Sequence, residues 1–396
     1  MIYAGNLAQN GITTSLKSLC SAVNTASVNY YVVFTSRVVK RHRDVLLEIP
    51  EQIKFIPVSG KAVMQPQEKT VQYLYGKKRI PFPTFDKHLR EAYKFECKRQ
   101  FGKLSIDVAV QFNGYDFKKI YQFSVLSARR VIFAHSDMAQ EIAVKHNSRS
   151  DLLEYAYQEY DQVAIVSPDI EPSIQCIAND RANTLYVPNL FDYKRVISLA
   201  HEDMSFDDQT ISTVNDIENV IAMLKKHGDH TVVSIGRFSP EKQHALLIEA
   251  FNELWLDDPS IRLLIIGGNS HSDIYQGTRT HVESLPCKNS VVLIRQVSNP
   301  YAFVEHCCGL ILSSVYEGFG LVLLEADALG KPIVSTDIVG PRIFMQEHNG
   351  TLVDNSYEGI KEGLRMLYAG EVVPLNLNYE KYNANALRAF YKLLDL

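Results

Sequence analysis

Short apolar runs rich in β-branched residues alternate with longer amphipathic stretches along most of the chain, and this alternation limits the fold more than any other feature. It predicts parallel strands joined by crossover helices, which form an α/β, doubly wound sheet with helices on both faces. The pattern stops after Val187 and restarts at His230, beyond a polar and acidic stretch. Because 396 residues are enough for two such domains, we predict two consecutive Rossmann-like domains.

The strands and the domain boundaries follow from this pattern. We expect a first domain over residues 1–190, a connection over residues 191–228, a second domain over residues 229–375 and a last helix within residues 376–396. The predicted strands are Ile2–Ala4, Tyr30–Phe34, Ile53–Pro57, Ile106–Gln111, Val131–Ala134, Gln162–Val166 and Thr184–Val187 in the first domain, and His230–Ile235, Ile261–Ile266, Ser290–Ile294, Gly309–Ser313 and Pro332–Ser335 in the second.

The length of the apolar stretches indicates the cellular location of the protein. None approaches the roughly 20 uncharged apolar residues that cross a bilayer. The first residues also lack the basic start and apolar run of a signal peptide. We therefore expect a cytoplasmic protein.

The charge is divided unevenly along the chain. Residues 1–150 hold 23 Lys and Arg against 11 Asp and Glu, whereas residues 151–396 hold 18 against 34. The densest basic segment, residues 77–103, is interleaved with aromatic residues and includes Lys94, Lys98 and Arg99. Such a surface attracts anions, which could be a phosphate-rich acceptor, anionic lipid headgroups or nucleic acid. The alternative is a helical face that is simply solvated.

Ligands of doubly wound sheets bind at the carboxyl ends of strands, so the residues after each strand are candidates for a site. After the first strand, Gly11 directly precedes a predicted helix that begins at Ile12. Glycine permits a close backbone approach, and amides at a helix start attract phosphate or a polar sugar. An Asn-Gly pair is also an ordinary turn, so both interpretations stay open at this position.

Two cations, Arg237 and Lys242, follow the first strand of the second domain and lie around the first turn of the next helix. Cations normally disfavour a helix N-terminus, because the helix dipole already supplies partial positive charge there. Their placement indicates an anion bound between them. Both could instead lie on a solvated loop.

Two carboxylates, Glu317 and Glu325, flank a Gly-Phe-Gly turn at residues 318–320. Glycines at a strand-to-helix turn leave bare amides that suit a diphosphate. The carboxylates can accept hydrogen bonds from sugar hydroxyls. Each glutamate alone is unremarkable, but the combination with the two cations indicates a nucleotide-sugar site.

With these motifs, the chain resembles the family-four retaining glycosyltransferases of GT-B architecture. The residues that carry the resemblance are SIGRFSPEKQ at 234–243, IIGG at 265–268, YEGFGLVLLEADALGKPIVSTD at 316–337, HNGTLV at 348–353 and, more loosely, Gly11, FAHSD around His135 and YVPNLFD at 186–192. The resemblance implies two domains that face each other across a cleft, with the last helix, Tyr379–Leu394, crossing back to the N-terminal domain. The motifs are also similar to those of enzymes of teichoic-acid-like wall or capsule polymer synthesis.

The resemblance also implies a role for each candidate residue. Arg237 and Lys242 would neutralise the donor diphosphate, Glu317 would contact the donor sugar and Glu325 the ribose hydroxyls. His135 would face the reacting sugar. Donor phosphate and base would lie against the main chain of Gly318, Phe319, Gly320, Leu321, Gln296 and Val297, with Gly11 and Ile12 at the glycine-loop position.

The expected activity is retaining transfer of a hexose or N-acetylhexosamine from a UDP-sugar to a hydroxyl of an anionic, phosphate-containing glycan or lipid-linked acceptor. The resemblance implies front-face attack by the acceptor without a metal or other cofactor, and no DxD or HExxH motif lies in a plausible place. Lys94, Lys98 and Arg99 are the candidate acceptor residues. Peripheral contact with an anionic membrane at the inner face of the plasma membrane would fit them. The glycine loop begins so near residue 1 that the chain could be a module of a larger polypeptide.

Three other functions remain open from the sequence. A nucleotide-sugar epimerase of the same architecture would interconvert UDP-sugars without an acceptor. A non-catalytic module could bind nucleotide sugars or anionic polymers, although the presence of both Glu317 and Lys242 disfavours it. Nucleic-acid binding is disfavoured because residues 151–396 are strongly acidic and no recognised binding motif is present.

Overall fold

The computed structural model describes residues 1–5, 7, 10–35, 43–58, 65–78, 86–114, 116–145, 150–206, 210–212, 217–267 and 272–396. The chain divides into two compact units, each with its own sheet, as the alternation predicts. The first unit consists of Met1–Leu190 together with Asn383–Leu396, and the second of Phe191–Tyr382. Parts of the predicted glycine loop and of the basic segment, and the last residue of the IIGG motif, lie outside the described residues.

The first unit is built on a seven-stranded parallel sheet in the order β3-β2-β1-β4-β5-β6-β7. Its elements are β1 (Ile2–Gly5), α1 (Gly11–Ala22), β2 (Tyr31–Thr35), α2 (Arg43–Leu47), β3 (Lys54–Val58), α3 (Pro66–Lys78), α4 (Asp86–Phe101), β4 (Val108–Gln111), α5 (Phe117–Ser124), β5 (Arg129–Ala134), α6 (Met138–Lys145), α7 (Ser150–Glu159), β6 (Gln162–Ile165), α8 (Glu171–Ala178) and β7 (Thr184–Tyr186). The strand order reverses between β1 and β4, which makes their carboxyl ends the ligand-binding edge of this fold class.

The second unit repeats the plan in the order β14-β13-β12-β9-β10-β11-β8, with every neighbouring pair parallel except β11 and β8. Its elements are α9 (Tyr193–Ala200), β8 (Ile211–Ser212), α10 (Ile217–His227), β9 (Thr231–Ile235), α11 (His244–Asp257), β10 (Arg262–Ile266), α12 (Ser272–Glu283), β11 (Val291–Gln296), α13 (Tyr301–Val304), β12 (Gly309–Leu312), α14 (Leu321–Ala328), β13 (Ile333–Thr336), α15 (Pro341–Glu347), β14 (Thr351–Val353), α16 (Tyr357–Tyr368) and α17 (Tyr379–Leu393). Here the strand order reverses between β9 and β12.

The strands of the second unit are continuous apolar runs because they are buried in its core. Strand residues such as Leu263 and Val334 are buried together with Phe251 of α11 and Leu364 of α16. Because helices cover both faces of a parallel sheet, the strands do not alternate apolar and polar residues. The polar residues of this unit are therefore concentrated after the strands.

Residues 191–228, which we expected to be a connection, belong to the second unit. Helix α9 packs against α13 and α14, with Val196 and Ala200 buried. Strand β8 pairs antiparallel with the end of β11. A helix within this stretch agrees with its sequence, but the edge strand of only two residues was not predicted.

The last helix, α17, begins in the second unit and from Asn383 onward belongs to the first, which confirms its predicted return. In the first unit, Nε of Arg129 donates to the carbonyl of Leu393 at 3.3 Å, and Nη1 pairs with Asp395 at 2.9 Å. Within the described residues, no helix has the length and apolar character needed to span a membrane.

Candidate functional site

Arg237 and Lys242 follow β9, at the point where the strand order of the second unit reverses. The next helix begins after both cations, whereas the sequence indicated that they lie around its first turn. Pro240–Lys242 form a single 3-10 turn, Gln243 takes a left-handed conformation with φ of 52°, and α11 begins at His244. Both cations therefore lie before the helix, which lessens their repulsion from its N-terminal dipole.

Gly236 makes room for the Lys242 side chain. A Cβ atom at this position would lie 2.9 Å from both Cδ and Cε of Lys242. The aliphatic part of the lysine thus rests against the bare backbone of Gly236. This close approach explains why a glycine precedes Arg237, since any larger residue at position 236 would displace the lysine.

The structure brings Lys242 and Glu317 together across 75 residues of sequence. Nζ of Lys242 donates to Oε1 of Glu317, and Oγ of Ser314 donates to the same oxygen at 2.8 Å. The two charged side chains are only 14% and 16% exposed, so solvent screens their attraction little. Among the described residues no hydrogen bond reaches Oε2 of Glu317, which leaves this oxygen for a ligand hydroxyl.

The turn after Glu317 presents bare amides. Gly320, with φ of 83°, is the N-cap of α14 and no side chain caps the helix. No described residue accepts a hydrogen bond from the amides of Gly318, Phe319, Gly320 or Leu321. Uncapped amides at a helix start, next to a lysine, are an anion-binding arrangement.

Gly340 lies directly against the backbone of this turn. Its φ is 103°, and a Cβ atom here would lie 2.6 Å from the carbonyl oxygen of Glu317. The amide of Glu317 donates to the carbonyl of Val339 at 3.3 Å, and the ring of Phe319 packs on that of Phe344 at a centroid distance of 5.0 Å. The Gly-Phe-Gly turn is thus fixed by a second loop whose glycine we had not singled out.

Arg237 pairs with a carboxylate of its own turn. Its Nη2 donates to Oε1 of Glu241 at 3.2 Å. The arginine side chain is 49% exposed, whereas that of Glu241 is only 4% exposed. Sequence reasoning missed Glu241, because nothing in its neighbourhood distinguishes a buried carboxylate from a solvated one.

Glu325 lies one turn into α14, and Oη of Tyr301 donates to its Oε1 at 3.0 Å. Burial raises the pKa of Glu325 above its ordinary value, while the bond from Tyr301 and the charge of Arg195 oppose this rise. One oxygen is therefore held in place, and no hydrogen bond from a described residue reaches the other. The sequence placed Tyr301 in a short helix but did not predict its hydrogen bond to Glu325.

Gln296 and Val297, the candidates for contact with the base, lie at the carboxyl end of β11. Gln296 is the last residue of the strand and pairs with Ile211 of β8. Both side chains are partly exposed. An edge strand that the sequence did not predict thus fixes the backbone at this position.

His135 follows β5 in the first unit. Its Nε2 lies 2.7 Å from the carbonyl oxygen of Phe112, which can only accept, so Nε2 carries the hydrogen and Nδ1 is the acceptor. The imidazole stacks on Phe133 at 5.4 Å. Burial lowers the pKa of His135 to about 4, and the bond to Phe112 opposes this only in part. The ring is therefore neutral near pH 7.

Gly11 and Ile12 are the first residues of α1, and Gly11 is exposed. The cap of this helix is Asn10, whose Oδ1 accepts from the amide of Thr13 at 3.0 Å. The Asn-Gly pair therefore works as a helix start here.

The three basic candidates of the first unit lie in the second half of α4. Lys94 and Lys98 are exposed, and Lys94 pairs with exposed Glu91 at 3.0 Å. Arg99 differs, because its Nε and Nη2 bind both oxygens of Glu96, a fully buried carboxylate, at 2.9 and 2.5 Å. Glu96 thus fixes one edge of the Arg99 guanidinium, and contact of Arg99 with an acceptor stays a prediction.

Comparison with known proteins finds a family model that matches most of the second unit. Residues 216–386 match the family model described as Glycosyl transferases group 1. One curated relative, the N-acetylgalactosamine-N,N'-diacetylbacillosaminyl-diphospho-undecaprenol 4-alpha-N-acetylgalactosaminyltransferase of Campylobacter jejuni, is 31% identical over 140 residues, which are 34% of this chain and 37% of the relative. Another, the poly(ribitol-phosphate) alpha-N-acetylglucosaminyltransferase of Staphylococcus aureus, is 28% identical over 153 residues, or 38% of this chain and 30% of the relative.

The match to curated relatives is partial, since the chain spans about half of their length or less. The likeness in fold extends over the whole chain. The crystal structure of Anabaena HepE in complex with UDP aligns with a TM-score of 0.65 at 14% identity and covers 100% of this chain and 98% of that one. Residues 216–386 are therefore similar to the group 1 glycosyl transferases, and the chain has the two-domain GT-B fold.

Proposed function

We propose that this chain is a retaining glycosyltransferase that moves a hexose or N-acetylhexosamine from a UDP-sugar to a hydroxyl of an anionic, phosphate-containing acceptor. The observation that carries the proposal is the Lys242–Glu317 pair beside the uncapped start of α14. A cation and four free amides suit a diphosphate, and the second oxygen of Glu317 suits a sugar hydroxyl.

The proposed chemistry follows from where charge develops. As the bond between C1 of the sugar and the diphosphate breaks, negative charge grows on the leaving UDP. Lys242, Arg237 and the amides of α14 are fixed before the reaction and stabilise this charge, which is how preorganised donors lower a barrier. The cations and amides take the place that a metal ion has in other transferases, so we propose a reaction without a metal.

The acceptor oxygen forms a bond to C1 on the face that the leaving group departs from. Its proton passes to an oxygen of the departing diphosphate, and the configuration at C1 is retained. His135 enters this scheme as a neutral ring whose Nδ1 can accept a hydrogen bond from a sugar hydroxyl. Glu325 accepts from the ribose hydroxyls through the oxygen that Tyr301 leaves open.

Three similar proteins support the proposed donor and acceptor. The Anabaena structure is a complex with UDP, which fits a uridine nucleotide here. The Campylobacter enzyme acts on a diphospho-undecaprenol glycan and the Staphylococcus enzyme on poly(ribitol-phosphate). Exposed Lys94 and Lys98 suit phosphate groups of this kind, and a lipid-linked acceptor would bring the protein to the inner face of the plasma membrane.

The proposal is tested by screening UDP-sugars for protection against thermal unfolding, followed by transfer assays with phosphate-containing acceptors. Selective binding stabilises the native state by mass action, so one UDP-sugar should raise the unfolding temperature most. Incubation with that UDP-sugar alone should give only slow hydrolysis. Interconversion of the sugar would instead indicate an epimerase, and no shift with any UDP-sugar would contradict the proposal.

A further inference from the structure

Glu241 is a buried carboxylate that the proposed chemistry does not use. It lies in the 3-10 turn between the two cations, and its side chain is 4% exposed. Removing a carboxylate from water is costly unless a partner compensates its charge. The partner here is Arg237, whose Nη2 donates to Oε1 at 3.2 Å.

The main chain holds this turn in place. The carbonyl of Glu241 accepts from the amide of Val315 at 2.8 Å, and that of Lys242 accepts from Oγ of Ser313 at 2.9 Å. Both donors belong to the short segment between β12 and Glu317. The position of the Glu241 carboxylate is thus tied to the segment that carries the sugar-binding glutamate.

The guanidinium of Arg237 has more donors than Glu241 uses. It offers five N–H groups in a planar fork, and among the described residues Glu241 is its one hydrogen-bonded side-chain partner. Arg237 is half exposed, so its remaining N–H groups are accessible. A lysine could not serve a buried carboxylate and a phosphate with the same fixed geometry, because its charge is a single point.

We propose that Glu241 is a positioning residue, which holds one edge of the Arg237 guanidinium so that the other edge is directed to the diphosphate of the donor. The inference rests on the proposed function. The Arg237–Glu241 pair stays intact when donor binds, because breaking it would remove a charge-compensating partner from a buried carboxylate. Glu241 thus affects diphosphate binding only through Arg237.

A double-mutant cycle with UDP and uridine as probes tests this role. Uridine lacks phosphate, so a change that affects only the diphosphate leaves its affinity unaltered. We expect Glu241→Ala to weaken UDP binding about tenfold, the typical size of one charge-assisted hydrogen bond, and to change uridine binding less than about twofold. In an Arg237→Ala background, Glu241→Ala should have no further effect on UDP.

The conservative variant Glu241→Gln separates positioning from a general effect on the fold. Its amide oxygen still accepts from Arg237, so UDP affinity should stay within about threefold of the native value. Equal losses of UDP and uridine binding, an unchanged loss in the Arg237→Ala background, or a Glu241→Gln loss as large as that of Glu241→Ala would each overturn the inference. If the native chain does not bind UDP at all, the proposed function fails and the inference fails with it.

Discussion

The two regions that the sequence marks as functional are built in different ways. In the second unit, Lys242 and Arg237 are paired with Glu317 and Glu241, and bonds from Ser313 and Ser314 fix the same residues. In the first unit, Lys94 and Lys98 are exposed on one helix, and the partner of Lys94 is exposed as well. Exposed pairs of this kind contribute little to structure.

This difference in how the charges are held determines how each region would recognise a ligand. A set of charges held by other groups selects one geometry, as a diphosphate joined to a sugar requires. A row of exposed lysines attracts anions by charge alone and tolerates acceptors of many lengths.

The largest effect should come from Lys242→Ala. The substitution removes the cation beside α14 and leaves Glu317 without its main partner, so we expect transfer to fall about 10²–10³-fold. Lys225→Ala, which removes an exposed lysine of α10, is the matched control and should leave the rate within twofold. The measurement is kcat/KM with a UDP-sugar, and equal rates for the two variants would contradict the assignment of Lys242.

Gly340→Ala should destabilise the second unit by at least about 2 kcal/mol, because its Cβ would collide with the carbonyl of Glu317 and its φ is positive. Gly330→Ala is the control, since Gly330 also has a positive φ of 65° but nothing lies within 4 Å of its Cβ position. That variant should lose only about 1 kcal/mol. Urea unfolding measures both, and equal losses would show that Gly340 does not support the turn.

His135 should make the first unit sensitive to mild acid. Its imidazole binds a proton less readily in the folded chain than in the unfolded one, so its stabilising contribution is complete above the unfolded pKa of about 6.5. The contribution falls as the pH decreases toward the folded pKa of about 4. Between pH 7.5 and 5, the free energy of unfolding should fall by about 2 kcal/mol more in the native chain than in His135→Gln. Equal pH dependence in the two proteins would contradict a buried, neutral ring.

The smallest effect should come from the basic helix. We expect Lys94→Ala with Lys98→Ala to weaken use of a phosphate-containing acceptor about fivefold at low salt and to leave hydrolysis of the donor unchanged. Added salt should reduce the difference, because exposed charges are screened. Arg181→Ala, an exposed arginine of the same unit, is the control. Loss of hydrolysis in the double variant would move these lysines to the donor site.

Much of the arrangement around Lys242, Glu317 and the start of α14 could be predicted because its parts lie in short motifs. Two cations before a helix, and two glutamates around a glycine turn, imply the same chemistry wherever they occur on a doubly wound sheet. Glu241 and Tyr301 could not be found this way, because their roles depend on burial and on neighbours distant in sequence. Gly340 gave no signal either, since a close approach to Glu317 exists only in the folded chain.

The first unit was harder to predict for related reasons. The spacing of Glu96 and Arg99 allows an ion pair on one helix face. That Glu96 is fully buried, and therefore binds Arg99 for structural reasons, depends on how α4 packs. Strand β8 escaped prediction because two residues cannot show an alternation, and its place is set by pairing with β11.

The most direct test of the account is hydrogen exchange at the start of α14 in the full chain, with and without UDP. The amides of Gly318, Phe319, Gly320 and Leu321 have no acceptor among the described residues, so they should exchange quickly in the free protein. We expect UDP to slow the exchange of these four amides and uridine to leave it unchanged. Equal exchange with UDP and without it, at a concentration that saturates binding, would contradict a diphosphate held against these amides.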